Sequence, residues 1–218
     1  MTLHSGAFLR RKSLTRKPYP VQLPPLMQAV ASRRKPSLTE RLWQDNLKRF
    51  KGRKVKYLLI AEAPPANIDQ YLYKGCLSSL SNVLCKAFNI EDYAKLTGLE
   101  RLEALAQTGF LLVDIFCEPL PAILPRKRKA YREAMADSLE SFKNRLNQAM
   151  TLSDNKPKIA FAYSRAIRAL NELTNGSIQL QDSTTISLRD FEKKIANGQR
   201  SLGSKRLREI YFGKRQSR

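Results

Sequence analysis

Apolar side chains recur every three or four residues over 129–150, at Tyr131, Met135, Leu139, Phe142, Leu146 and Met150. That spacing lays one apolar stripe along a helical surface and predicts an amphipathic α-helix through the whole segment. A second stripe, Leu38, Leu42, Trp43, Leu47 and Phe50, predicts a helix that starts at Ser37, with Glu40 three residues later completing a capping box, and stops at Gly52. Further helices are expected over about 77–88 and 100–107, and over 164–173 from a serine cap at Ser164.

Between these lie short apolar runs, rich in branched residues and too brief for core helices. Residues 55–60, 110–116 and 158–163 read as strands buried on both faces, and 177–180 as a weaker fourth. The first strand runs into Ala61-Glu62-Ala63-Pro64-Pro65, which can extend neither a ladder nor a helix. Strands alternating with helices predict a three-layer α/β/α domain around a mainly parallel, four-stranded central sheet. Its ligand site is then expected at the carboxyl ends of the strands. Four segments fall at that end in this reading: 62–65, 114–121, 163–165 and 182–185.

Charge narrows the class of partner. Among 218 residues, 40 Lys and Arg stand against 19 Asp and Glu, a formal net charge of +21. Solubility alone asks for a magnitude of only about 2 to 8. The excess calls for a polyanion, and DNA is the partner expected, because each Lys or Arg that neutralises a phosphate releases a condensed counterion. Residues 1–36 hold no acid but carry Arg10, Arg11, Lys12, Arg16, Lys17, Arg33, Arg34 and Lys35 among five prolines. They read as a basic N-terminal arm ahead of a single α/β domain over 37–218 that ends in a basic segment. No apolar run approaches the roughly 20 residues of a membrane span. No apolar segment follows Arg10, Arg11 and Lys12, so no secretory signal is expected and a cytoplasmic location is. Cys76, Cys85 and Cys117 form no C-x-x-C pair and are expected to be reduced, with no metal, no cofactor and a monomeric chain.

Candidate chemistry gathers at the predicted strand ends. Glu62 and Asp114 each sit at or just past a strand tip, where an ionised carboxylate needs hydrogen bonds or a polar ligand to offset its desolvation. Ala63 and Pro64 belong to a turn rigid enough to hold a water or a base. Tyr71 and Tyr73, beside Lys74, have the composition that stacks a base while gripping its phosphate, although one tyrosine packed in the core is an equal reading. DNA contacts are expected from Lys74, from the run Arg126, Lys127, Arg128 and Lys129, from Ser164 and Arg165, from Ser183 and Thr184, and from Lys205 and Arg206.

Taken in order, A-E-A-P-P at 61–65, the loop with Tyr71 and Tyr73, and T-G-F-L-L-V-D at 108–114 resemble the uracil-DNA glycosylase superfamily over roughly residues 55–190. The first motif is similar to the G-E-A-P-G of one branch and the second to the Q-G-V-L-L-L-N of another. The resemblance implies that Glu62 positions water and electrostatics at the sugar, that Tyr73 stacks on an extruded base, and that Asp114 stands where an asparagine reads the uracil edge. It also places Ser183 near the last family motif, H-P-S-P. That motif's histidine has no counterpart here, since the only histidine is His4, and the iron-sulfur cysteines of the G-E-A-P-G branch are likewise missing.

The activity implied is that of a DNA glycosylase, which flips out a base and hydrolyses its N-glycosidic bond. An ionised aspartate only accepts hydrogen bonds and so suits an exocyclic amine, pointing to a modified cytosine, with uracil as the family's usual substrate. The role is then DNA repair, or defence against phage DNA carrying modified bases. Two other readings stand beside it: a non-catalytic DNA- or RNA-binding protein on the same fold, and an adaptor whose basic arms recruit acidic proteins.

Overall fold

Three strands, β1 (Tyr57–Ala61), β2 (Phe110–Asp114) and β3 (Lys158–Phe161), form a parallel sheet in the order β2-β1-β3. The computed structural model of the chain describes residues 36–154, 156–181, 184–188 and 203–213. The sheet is flanked by α1 (Leu38–Leu47), α2 (Ser79–Ala87), α3 (Gly98–Gln107), α4 (Arg128–Thr151), α5 (Ser164–Thr174) and α6 (Ser204–Phe212). Leu58, Leu59, Ile60, Leu111, Leu112 and Val113 are completely buried, as strands covered on both faces by helices must be. Residues in register across β1 and β2 include Leu59 with Leu112 and Ala61 with Asp114. The described part of the chain from Pro36 onward packs as one unit.

Local signals position the helices. The Ser37 hydroxyl accepts from the Glu40 N–H at 3.2 Å and caps α1, but the Glu40 side chain turns to Gln44 and Arg145 instead of closing a box. A reciprocal capping box starts α3, where Thr97 and Glu100 bond each other's backbone N–H. Gly98, at the same helix start, is required by close approach: a Cβ there would lie 1.6 Å from the Gly75 carbonyl oxygen. That contact seats the turn Leu72–Lys74 against α3.

The expected fourth strand of the central sheet is the main departure. Residues 177–180 do begin a strand, β4 (Ser177–Gln179), but it pairs antiparallel with β5 (Thr185–Ser187) in a separate two-stranded hairpin. A partner so near in sequence closes the ladder with little loop entropy. The hairpin therefore lies beside Met150, Pro157 and Ile159, at the amino end of β3. Thr184 is carried there, away from the carboxyl ends where a DNA contact was expected, and Ser183 lies outside the described residues. The N-terminal arm also lies outside them. Among the described residues no helix is long and apolar enough to cross a membrane.

Candidate functional site

A cavity of about 550 Å³ opens at the carboxyl ends of the three parallel strands. Side chains alternate between the faces of a strand, so Leu59 and Ala61 from β1 and their register partners Leu112 and Asp114 line one wall. Ala162 and Tyr163, just after β3, extend it. The opposite wall comes from Ala63, Pro65, Tyr71 and the first turn of α2. The volume falls within the roughly 300 to 1,000 Å³ typical of small-ligand sites.

Asp114 is the only carboxylate on this wall and is buried. The Tyr71 hydroxyl donates to its Oδ2 at 2.8 Å, and no other hydrogen bond reaches the carboxylate among the described residues. Burial pushes its pKa from the ordinary 3.8 up to about 6, against smaller downward pulls from the Tyr71 hydrogen bond and the Arg145 charge. The group therefore exchanges its proton within the physiological range. Arg145, itself buried on α4, braces the strand end by donating to the main-chain oxygens of Asp114 and Ile115, both at 3.0 Å. It also donates to the Cys117 sulfur at 2.8 Å.

Tyr73 does not line the cavity, contrary to its expected stacking role. Its ring is buried 6.0 Å from that of Trp43, and its hydroxyl both accepts from the Leu112 N–H at 2.8 Å and donates to the Leu112 carbonyl. The physical reason is topological. Among the described residues β2 is an edge strand of the central sheet, so its outward backbone groups lack a strand partner and the phenol supplies one. Tyr71 and Tyr163 are the aromatic rings exposed to the cavity instead.

Glu62 does not meet Asp114. It follows Ala61 by one residue and so projects to the other side of β1, where Arg165 Nε approaches its Oε1 at 2.5 Å and Arg165 Nη2 its Oε2. The Tyr131 hydroxyl also donates to Oε1, at 2.6 Å. The hydrogen bond to Glu62 raises the pKa of Arg165, and burial followed by the Glu62 contact raises that of Tyr131. The Arg165 guanidinium lies 5.1 Å from the centre of the Tyr163 ring, so a chain of contacts links Glu62 to the cavity through Arg165 and Tyr163.

The remaining expected residues are scattered. Pro64 borders a narrow crevice shared with Tyr71 and Asp114 rather than the main cavity. Lys74 pairs with Asp69 on the exposed turn. Ser164 is the first residue of α5 and not its cap, a position held by Tyr163 without a side-chain hydrogen bond. Arg126 and Arg128 face a second hollow together with Arg165, whereas Lys127 and Lys129 do not, and Lys129 pairs with Glu133 at 3.9 Å. Lys205 and Arg206 lie on α6, away from the cavity, with Arg206 pairing with Glu209 at 3.1 Å. Arg145 escaped the sequence reading, although its signal was present: a charged residue between Phe142 and Leu146 on the apolar stripe of α4.

Among the described residues no cluster of His, Cys, Asp and Glu is arranged to hold a metal ion, and Cys76, Cys85 and Cys117 are free thiols. Comparison of the chain with known protein families, with curated proteins and with solved structures finds no match in any of the three.

Proposed function

We propose that the chain is a DNA glycosylase of the uracil-DNA glycosylase type. It takes an extruded base into the cavity beside Asp114 and hydrolyses its N-glycosidic bond, leaving an abasic site. The observation that carries this reading is the carboxyl group of Asp114, buried with Tyr71 as its hydrogen-bond donor on the wall of a cavity of about 550 Å³, where burial pushes its pKa up to about 6. A protonated carboxyl offers one donor and one acceptor side by side, which matches the ring N3 and the exocyclic amine of cytosine together. As the C1′–N1 bond breaks and its electron pair leaves with the base, the Asp114 proton passes to N3. Water then adds to C1′ and its spare proton returns to the Asp114 carboxylate. Tyr71 orients the carboxyl through Oδ2, and its ring and that of Tyr163 offer apolar faces to the base.

Glu62 acts in this scheme as a positioning residue, holding Arg165 beside Tyr163. Excision of ordinary cytosine would damage the cell's own genome, so the substrate is a cytosine with an added 5-substituent, in repair or in defence against phage DNA. The test is to incubate the chain with oligonucleotides containing uracil, cytosine or 5-modified cytosines from pH 5 to 8 and to reveal abasic sites by alkaline cleavage. Release from a modified cytosine, falling about 10²- to 10⁴-fold in Asp114→Asn, is the expected result. No release from any substrate at any pH overturns the reading.

One observation favours a second reading, a non-catalytic DNA- or RNA-binding protein: of the two acidic strand-tip residues, only Asp114 reaches the cavity. Tight binding of base-containing strands without base release would select it.

A further inference from the structure

On the Glu62 side of the sheet, α4 and α5 line a second hollow, of about 300 Å³, with residues from Arg128 to Arg132 and from Arg165 to Glu172. Arg128 and Arg132 enter it from α4, Arg165 and Arg168 from α5, and Arg126 from the turn before α4. Among the described residues two carboxylates serve these five guanidiniums. Glu172 pairs with Arg128 at 2.7 Å and with Arg132 at 3.2 Å, and Glu62 engages Arg165. Arg126 and Arg168 are exposed and have no carboxylate partner among the described residues.

The helix starts add to the same field. Neither α4 nor α5 has an acid in its first turn, and neither is capped by a side-chain hydrogen bond. The amino end of a helix carries partial positive charge and unsatisfied N–H groups, and acids or anions are its usual complement. Placing arginines there instead sets like charge on like charge, an arrangement that an incoming anion relieves. Guanidinium forks suit the oxygens of a phosphate better than ammonium groups do.

We propose that this hollow is a phosphate subsite, which holds the backbone phosphate of the strand next to the nucleotide whose base enters the cavity. The inference rests on the nucleic-acid reading above and deepens it. Arg126 and Arg168 supply the uncommitted donors, Glu172 keeps Arg128 and Arg132 on the rim, and Arg165, fixed by Glu62 and lying over Tyr163, joins the subsite to the cavity.

The far end of the sheet offers a matched control. Lys54, Lys56, Lys156 and Lys158 surround another hollow at the amino ends of β1 and β3, with charge but no helix start. The experiment compares Arg126→Gln/Arg168→Gln with Lys56→Gln/Lys156→Gln in the full chain; the two pairs remove the same formal charge. Binding of a labelled single-stranded oligothymidylate, which holds no excisable base, is followed by fluorescence anisotropy across a salt series, with circular dichroism to verify the fold. The arginine pair is expected to weaken binding about tenfold or more and to flatten the log-log salt dependence by about 0.7, the contribution of one phosphate on a single strand, while the lysine pair changes affinity less than about twofold. Inorganic pyrophosphate should compete with the oligonucleotide in the unaltered chain and lose that effect in the arginine pair. Equal weakening by both pairs, no weakening by either, or displacement by polyglutamate as readily as by unlabelled oligonucleotide overturns the subsite. Because the probe is not a glycosylase substrate, absence of base release leaves the difference between the pairs in place, and equal effects of the pairs leave the chemistry at Asp114 untouched.

Discussion

At the scale of single residues, Asp114 ties stability to the chemistry proposed for it. Its carboxyl is taken out of water with Tyr71 as its hydrogen-bond donor, and burial raises its pKa from 3.8 to about 6. A group whose pKa is higher in the folded state than in the unfolded one supports folding below the unfolded value, and that support is lost as pH rises through the folded value. For Asp114 the window runs from about pH 4 to about pH 6, and the displacement corresponds to roughly 3 kcal/mol. Asp114→Asn is therefore expected to leave stability nearly unchanged near pH 4 and to raise it by up to roughly 3 kcal/mol above pH 7, read from urea unfolding at the two pH values. Base release by the unaltered chain should move the opposite way, falling about tenfold per pH unit above 6 as the Asp114 proton is lost. A more stable and less active variant is the signature of a carboxylate kept at a site for function.

At the scale of elements, the edge of the sheet rests on one phenol. The Tyr73 hydroxyl serves both the N–H and the carbonyl of Leu112 on β2, deep in the core. Tyr73→Phe keeps the ring against Trp43 but leaves two buried backbone groups unpaired, and a loss of about 1–3 kcal/mol is expected in chemical denaturation. Faster amide hydrogen exchange at Leu112 would localise the loss to the β2 edge. The elements were legible to different degrees for a common reason. The stripe over 129–150 predicted α4, found at Arg128–Thr151, because a helical period reports on one helix by itself. The run at 177–180 is equally local and does form a strand, yet which strand it pairs with depends on loop entropy and on available edges.

At the scale of the whole molecule, a net charge of +21 is spread over two regions that can be separated experimentally. The unit from Pro36 onward holds the arginine-lined hollow, and residues 1–35 contribute eight basic side chains. Each phosphate neutralised contributes about 0.9 to the slope of log affinity against log salt on duplex DNA. Removal of residues 1–35 is expected to lower that slope, by as much as about 7 if all eight side chains engage phosphates, measured by duplex retention over a salt gradient. An unchanged slope would assign the segment to a partner other than DNA, as in the acidic-protein reading.

What the chain encodes locally is legible in the sequence alone: helices from periodicity, buried strands from short branched runs, and Asp114 at a strand tip. What the tertiary structure decided was which side each functional group faces. Glu62 and Asp114 both sit at strand ends, but the pairing of Ala61 with Asp114 sets Glu62 one residue out of phase, on the opposite face of the sheet. Tyr73 and Tyr71 sit two residues apart, yet only Tyr71 reaches the cavity, because the free edge of β2 claims the other hydroxyl. Strand register and sheet order arise from contacts between segments distant in sequence, and with a side-chain period of two, a shift of one residue moves a group from one site to another.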